Sequence, residues 1–310
     1  MVGGAAPNDP CGTNVRNQSC GILKRRNEMA RLAVFVVAAL MTVAAVPSAA
    51  QDRDSVRPAV TQELVLRDGS RLYGTVEQES ETEISFRTVS GALITALRSD
   101  VIALKTKRGD VRRGEFRPSD PNSTRLFFGP TGRSLERGQT YLGVYEFMMP
   151  FVQVGVTNRF SIGGGTPLVF GIDDWERPFW VTPKLQVYHG GSTDVSIGAL
   201  HAFDIDGDGG GIAYAVATNG SSDGSVTAGA GMGYATGGGK AAVVMVGGER
   251  RIRRNMKLIT ENYVWNGGEG IASLGIRFFG ERLSADLALA TPIGADDFFA
   301  FPMINFVYVF

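Results

Sequence analysis

Large apolar side chains occupy every second position at the end of the chain: Ile304, Phe306, Tyr308 and Phe310. Period-two alternation marks a strand. In a soluble sheet so apolar an edge would be an aggregation hazard, whereas in a closed membrane barrel the same row faces lipid and no edge is left free. Upstream, alternating segments of about ten residues recur between Gly, Asn, Asp and Pro. They predict strands near 124–130, 139–148, 151–163, 178–189, 192–202, 210–219, 224–235, 240–249, 255–265, 269–279, 282–290 and 299–310. Three segments have clear faces. Val152, Val154 and Val156 oppose Gln153, Gly155 and Thr157; Ala272, Leu274, Ile276 and Phe278 oppose Ser273, Gly275 and Arg277; Leu283, Ala285, Leu287 and Leu289 oppose Ser284, Asp286 and Ala288. The expected fold is all-β: a transmembrane antiparallel up-and-down barrel of about twelve strands over 124–310, preceded by a small periplasmic β domain.

Loop lengths orient the barrel. With the C-terminus periplasmic, Gly280-Glu281, 249–255, 219–224, Gly190-Gly191 and Met149-Pro150 fall on the periplasmic side. The longer 292–297, 204–209 and 164–178 connections fall outside, the known asymmetry of such barrels. Twelve strands leave about 16 residues each, room for a span of ~10 and a connection.

The first 50 residues form a separate unit. Arg31, the apolar run 32–46 and the small residues Ser48 and Ala50 describe a secretory signal peptide cleaved before Gln51, with Met29 a possible start. Residues 51–106 read as a small β module, with Asp68-Gly69 between apolar runs as a hairpin signal. Further strands are expected at 83–88, 92–97 and 101–105. The charged, Pro-punctuated stretch 107–123 reads as a linker.

Composition narrows the role. The 310 residues carry 31 basic and 31 acidic side chains. Without residues 1–50 the net charge is about −3, which gives nucleic acid no purchase. Cys11 and Cys20 both precede the cleavage site, so the mature chain has neither disulfide nor thiolate chemistry. The 41 glycines fall at turns and within alternating segments, as crowded barrel interiors require.

Three resemblances follow from particular residues. Phe306, Tyr308 and the terminal Phe310 resemble the signal read by the bacterial barrel-assembly machinery, which makes that machinery and outer-membrane lipids the expected partners. The phrase Leu66-Arg67-Asp68-Gly69-Ser70-Arg71-Leu72-Tyr73-Gly74-Thr75-Val76 resembles small Sm-like or SH3-like β modules. Phe128-Gly129-Pro130-Thr131-Gly132-Arg133-Ser134-Leu135, the stretch 155–165 and Ala290-Thr291-Pro292-Ile293-Gly294 resemble a family of bacterial outer-membrane barrels of unassigned function. That resemblance covers 124–310 and implies a fold and an address, not an activity.

Candidate chemistry is sparse. Asp204, Asp206 and Asp208, with Gly209, begin like a calcium loop, but Ala215 stands where an EF-hand needs its bidentate Glu; a solvated turn is the alternative. Outer-membrane phospholipases carry a His-x-Ser pair, yet Gly191 and Phe203 follow His189 and His201 by two, so no enzyme is expected. Gly237-Gly238-Gly239-Lys240 fails as a phosphate loop at Tyr234 and Ala241. Arg250, Arg251, Arg253 and Arg254 read as a solvated turn touching headgroups. Arg159, Lys184, Glu261, Arg277 and Asp286 are the candidates for lining the lumen, where they either pair or border an aqueous path. No long internal plug segment is visible in the pattern, which favours a narrow pore for small solutes. The rival is a closed barrel that anchors a structural or surface-interaction protein.

Overall fold

The computed structural model describes residues 60–168, 178–203, 209–265, 268–295 and 299–310. The expected signal peptide and Asp204, Asp206 and Asp208 lie outside these residues.

Six short strands come first: β1 (Val60–Leu66), β2 (Arg71–Glu79), β3 (Glu83–Thr88), β4 (Leu93–Leu97), β5 (Val101–Arg112) and β6 (Glu115–Pro118). They form one antiparallel sheet in the order β4-β3-β2-β1-β5-β6, over a small core of Leu64, Phe86 and Ala96. The Asp68-Gly69 turn closes the β1–β2 hairpin, with Gly69 at φ 87° and the Ser70 amide donating to Asp68 Oδ1 at 2.8 Å. The linker expected over 107–123 is corrected. β5 runs on to Arg112 and pairs with β6 through a tight turn at Arg113-Gly114, so the charged stretch up to Pro118 is a paired hairpin with Phe116 buried rather than a break.

Thirteen strand segments then close into a barrel: β7 (Thr140–Tyr145), β8 (Met149–Gly155), β9 (Phe160–Gly165), β10 (Phe179–Val181), β11 (Lys184–Gly190), β12 (Thr193–Phe203), β13 (Gly209–Ser221), β14 (Gly224–Ala235), β15 (Lys240–Arg253), β16 (Met256–Trp265), β17 (Gly270–Phe279), β18 (Leu283–Ile293) and β19 (Phe301–Val309). β10 and β11 are one strand interrupted at Thr182-Pro183, because Val181↔His201 and Lys184↔Gly198 keep one register across the gap. Proline lacks the N–H that the ladder needs there. The circle is therefore twelve-stranded and antiparallel, closed by β19 against β7 at Tyr308↔Leu142.

The wall is apolar outside and polar inside. Leu142, Val152, Ile197, Leu258, Leu274 and Leu287 are exposed outward, while Gln153, Ser196, Lys257, Ser273 and Asp286 are buried inward. In water so broad an apolar belt would drive association; in a bilayer it is the wetted face. Phe306, Tyr308 and Phe310 belong to this outer face.

Twelve strands were expected, but two placements change. Residues 124–130 are not a wall strand, and 151–163 is a hairpin, β8 and β9 joined by an exposed turn at 156–159. Arg159 sits in that turn and is exposed, so it is not on the inner wall. The β7–β8 connection at 146–148, and not Met149-Pro150 at the opposite pole, is the reversal, which moves this connection to the long-loop end. Its turn is made by Glu146 and Phe147 at φ 49° and 59°, residues that seldom adopt left-handed backbone and so gave no turn signal.

Candidate functional site

The segment between the sheet and the barrel enters the lumen. Residues 119–136 form a loop that goes in and comes back by the short-turn end. Its tip is closed by the Leu126 amide donating to Gly129 O (2.9 Å) and by an Arg125↔Pro130 bridge. Arg108 meets both ends: its carbonyl accepts from the Ser119 amide at 3.0 Å, and its guanidinium lies 3.3 Å from Glu136. This overturns the expectation that no internal segment fills the lumen. The segment 124–130 reads as a wall strand in the sequence, but the same pattern describes burial inside a barrel as well as placement in its wall.

Charged wall residues hold the loop. Arg277 makes a paired contact with Asp286 (2.6 and 2.9 Å), reaches Asp120 at 3.2 Å, and donates to the carbonyls of Asn122, Arg125 and Leu126. Lys257 bridges Asp120 (2.9 Å) and Glu249 (2.8 Å), and Glu249 accepts from Arg133 at 2.6 Å. Three cations thus meet three carboxylates, each almost fully buried. Buried charges persist only with such partners. Asp120, Arg133, Glu249 and Lys257 escaped the sequence reading, and a count of inward charges without cross-wall mates was the signal that could have found them.

Two further side chains read the loop's backbone. Glu261, midway along β16, accepts from the amides of Phe127 (2.6 Å), Phe128 (3.1 Å) and Gly129 (3.0 Å) and from the Tyr263 hydroxyl (2.7 Å). Lys184 donates to the carbonyls of Thr124 (3.3 Å), Thr131 (3.3 Å) and Arg133 (2.6 Å). Of the sequence candidates, Lys184, Glu261, Arg277 and Asp286 therefore converge on the loop, and Arg159 stands apart. Close approach needs glycine, as two positions show. A Cβ on Gly247 would run into Leu126 Cδ1, and one on Gly132 into the Asp194 carbonyl. Apolar contacts complete the seating, with Leu126 and Phe127 against Ile259, Ala288, Ala290 and Met303.

The six-stranded sheet covers the same mouth. Lys107 pairs with Glu281 at 2.7 Å and Glu63 at 3.1 Å; Arg112 and Arg117 reach Asp223. Burial pushes the Glu63 carboxyl up, but hydrogen bonds from Lys107 and Tyr73 and the nearby cations outweigh it, and its pKa ends below the usual value. The two histidines do not meet: His189 is 2.5 Å from Asp194, and His201 is 2.9 Å from the Tyr234 hydroxyl. Among the described residues no group of three His, Cys, Asp or Glu side chains is placed to hold a metal ion.

The molecule is a plugged β-barrel of the outer-membrane type. No protein-family model matches its sequence, and no curated protein does. Among solved structures it is similar to the KdgM porin in complex with disordered oligogalacturonate (7% identity, TM-score 0.44, 56% of this chain and 98% of that one). It is also similar to the NanC porin (9%, TM-score 0.40, 55% and 98%) and to a loop L8 deletion mutant of OmpT, an outer membrane protein of Vibrio cholerae (13%, TM-score 0.34, 82% and 97%). Likeness this distant carries no argument, so the role of the lumen is argued from its own side chains.

Proposed function

We propose that the chain is a bacterial outer-membrane barrel that passes small solutes when its internal loop loosens and is shut at rest. The observation carrying this is the loop's path. It enters and leaves by one mouth, so it can withdraw without unthreading, and polar and ionic contacts secure much of its length. An anchor alone has little use for twelve strands, since eight already fill their interior with side chains. The apolar belt and the terminal aromatic strand support insertion in the outer membrane by the assembly machinery, with the Sm-like or SH3-like sheet of residues 60–118 on the periplasmic side.

The rival reading, a permanently closed barrel serving as an anchor, draws on the number of buried charges that hold the loop. Planar-bilayer recording separates them. The channel reading expects rare discrete openings from the wild type and frequent ones from Glu261→Ala, which releases three backbone amides of the loop. Silence from both proteins, with insertion verified, would leave only the anchor.

A further inference from the structure

Above the loop the inner wall changes character. On β13 Ile212 and Val216 face inward while the outward neighbours Ala213, Ala215 and Ala217 are small, and on β15 Val243 and Met245 also face inward. Inner walls of water-filled barrels are polar, so this inversion is unlike a solvated path. Together with Leu200 and with Phe128 of the loop tip, these side chains line a half-open pocket of about 180 Å³. Apolar cavities of about this volume accept molecules the size of benzene.

The charged groups around it are committed, but the buried Thr182 hydroxyl on its wall is without a partner among the described residues, and so is one other hydroxyl. The three guanidinium nitrogens of Arg125 donate to Tyr141, Phe128 O and Gln153; Lys184 holds three carbonyls; the Tyr263 hydroxyl donates to Glu261. The Tyr214 hydroxyl, at the cavity wall, has no hydrogen-bond partner among the described residues. We propose that this cavity is a binding site for a small, uncharged, largely apolar molecule bearing one hydrogen-bond acceptor, which Tyr214 engages. An anion finds no free cation there, and a hydrophilic solute finds an apolar wall. The proposal deepens the solute-channel reading by naming the class of solute.

Fluorine NMR of the full chain in detergent tests it, with 4-fluoroanisole as probe and 4-fluorobenzoate as charged control. Partition into micelles is the same for every variant, so differences between proteins report the cavity. The wild type should give a saturable bound signal with 4-fluoroanisole and none with 4-fluorobenzoate. Val243→Trp, which fills the space, should abolish it. Tyr214→Phe, which keeps the fold and the volume, should weaken binding about 3- to 10-fold, the worth of one neutral hydrogen bond. Equal signals from wild type and Val243→Trp, equal binding of the two probes, or unchanged affinity in Tyr214→Phe would overturn it. Conduction is not read here: lost binding leaves the channel reading standing, and a silent bilayer leaves the binding site.

Discussion

Lys257 shows how little freedom the lumen's charges have. It is fully buried, and its ammonium is the bridge between Asp120 on the loop and Glu249 on the wall. Removing one partner of a buried ion pair costs about 3–5 kcal/mol, because the remaining charge is left in low dielectric. Lys257→Met leaves two carboxylates facing one another, so its thermal melting in detergent should fall by an amount of that order. A loss under about 1 kcal/mol, the range of exposed pairs, would mean that the network does not seat the loop. Sequence reading reached Arg277 and Asp286 at this scale because strand parity places both inward and they pair directly across β17 and β18. It missed Asp120, whose surroundings of Pro118, Ser119 and Pro121 have the composition of a linker. Composition reports backbone irregularity; it does not distinguish irregular chain in water from irregular chain inside a barrel.

Among the elements, β19 has the strongest pattern and the heaviest duty. Its outward Phe306 and Tyr308, followed by Phe310 just past its end, alternate with inward Met303, Asn305, Val307 and Val309, and it closes the circle on β7. Deleting Phe310 should slow assembly, seen in a pulse-chase as delayed appearance of the heat-modifiable folded form; unchanged kinetics would separate the aromatic terminus from recognition. Long strands such as β17 and β18 were legible because one face meets lipid and the other meets buried polar partners. The hairpins at the start of the barrel were not. Glu146 and Phe147 turn the chain without Gly, Asn or Asp, and apolar residues on both sides of 156–159 made two strands read as one. Counting 124–130 as wall and merging β8 with β9 offset each other, so twelve was reached with two strands misplaced.

On the scale of the whole molecule, the sheet of residues 60–118, the loop and the barrel mouth share charges, and pH should act on their docking. The folded pKa of Glu63 lies below its unfolded value of about 4.3. Its contribution is therefore complete above that value and is lost as pH falls through it toward the folded pKa. Calorimetry of the full chain in detergent should find the melting of the 60–118 sheet flat near neutrality and falling under about pH 4.5, with a shallower acid limb in Glu63→Gln. An identical acid limb in the variant would remove Glu63 from the docking.

The central claim is that residues 119–136 close the lumen, and conductance after excision tests it most directly. Both ends of the loop lie at Arg108, so a short Gly-Ser linker can replace 119–135 and leave the barrel strands intact. Recorded in a planar bilayer, the excised protein should show large, sustained, discrete steps, while the wild type stays shut apart from brief openings. Equal conductance from the two proteins, both verified as folded barrels, would contradict the account.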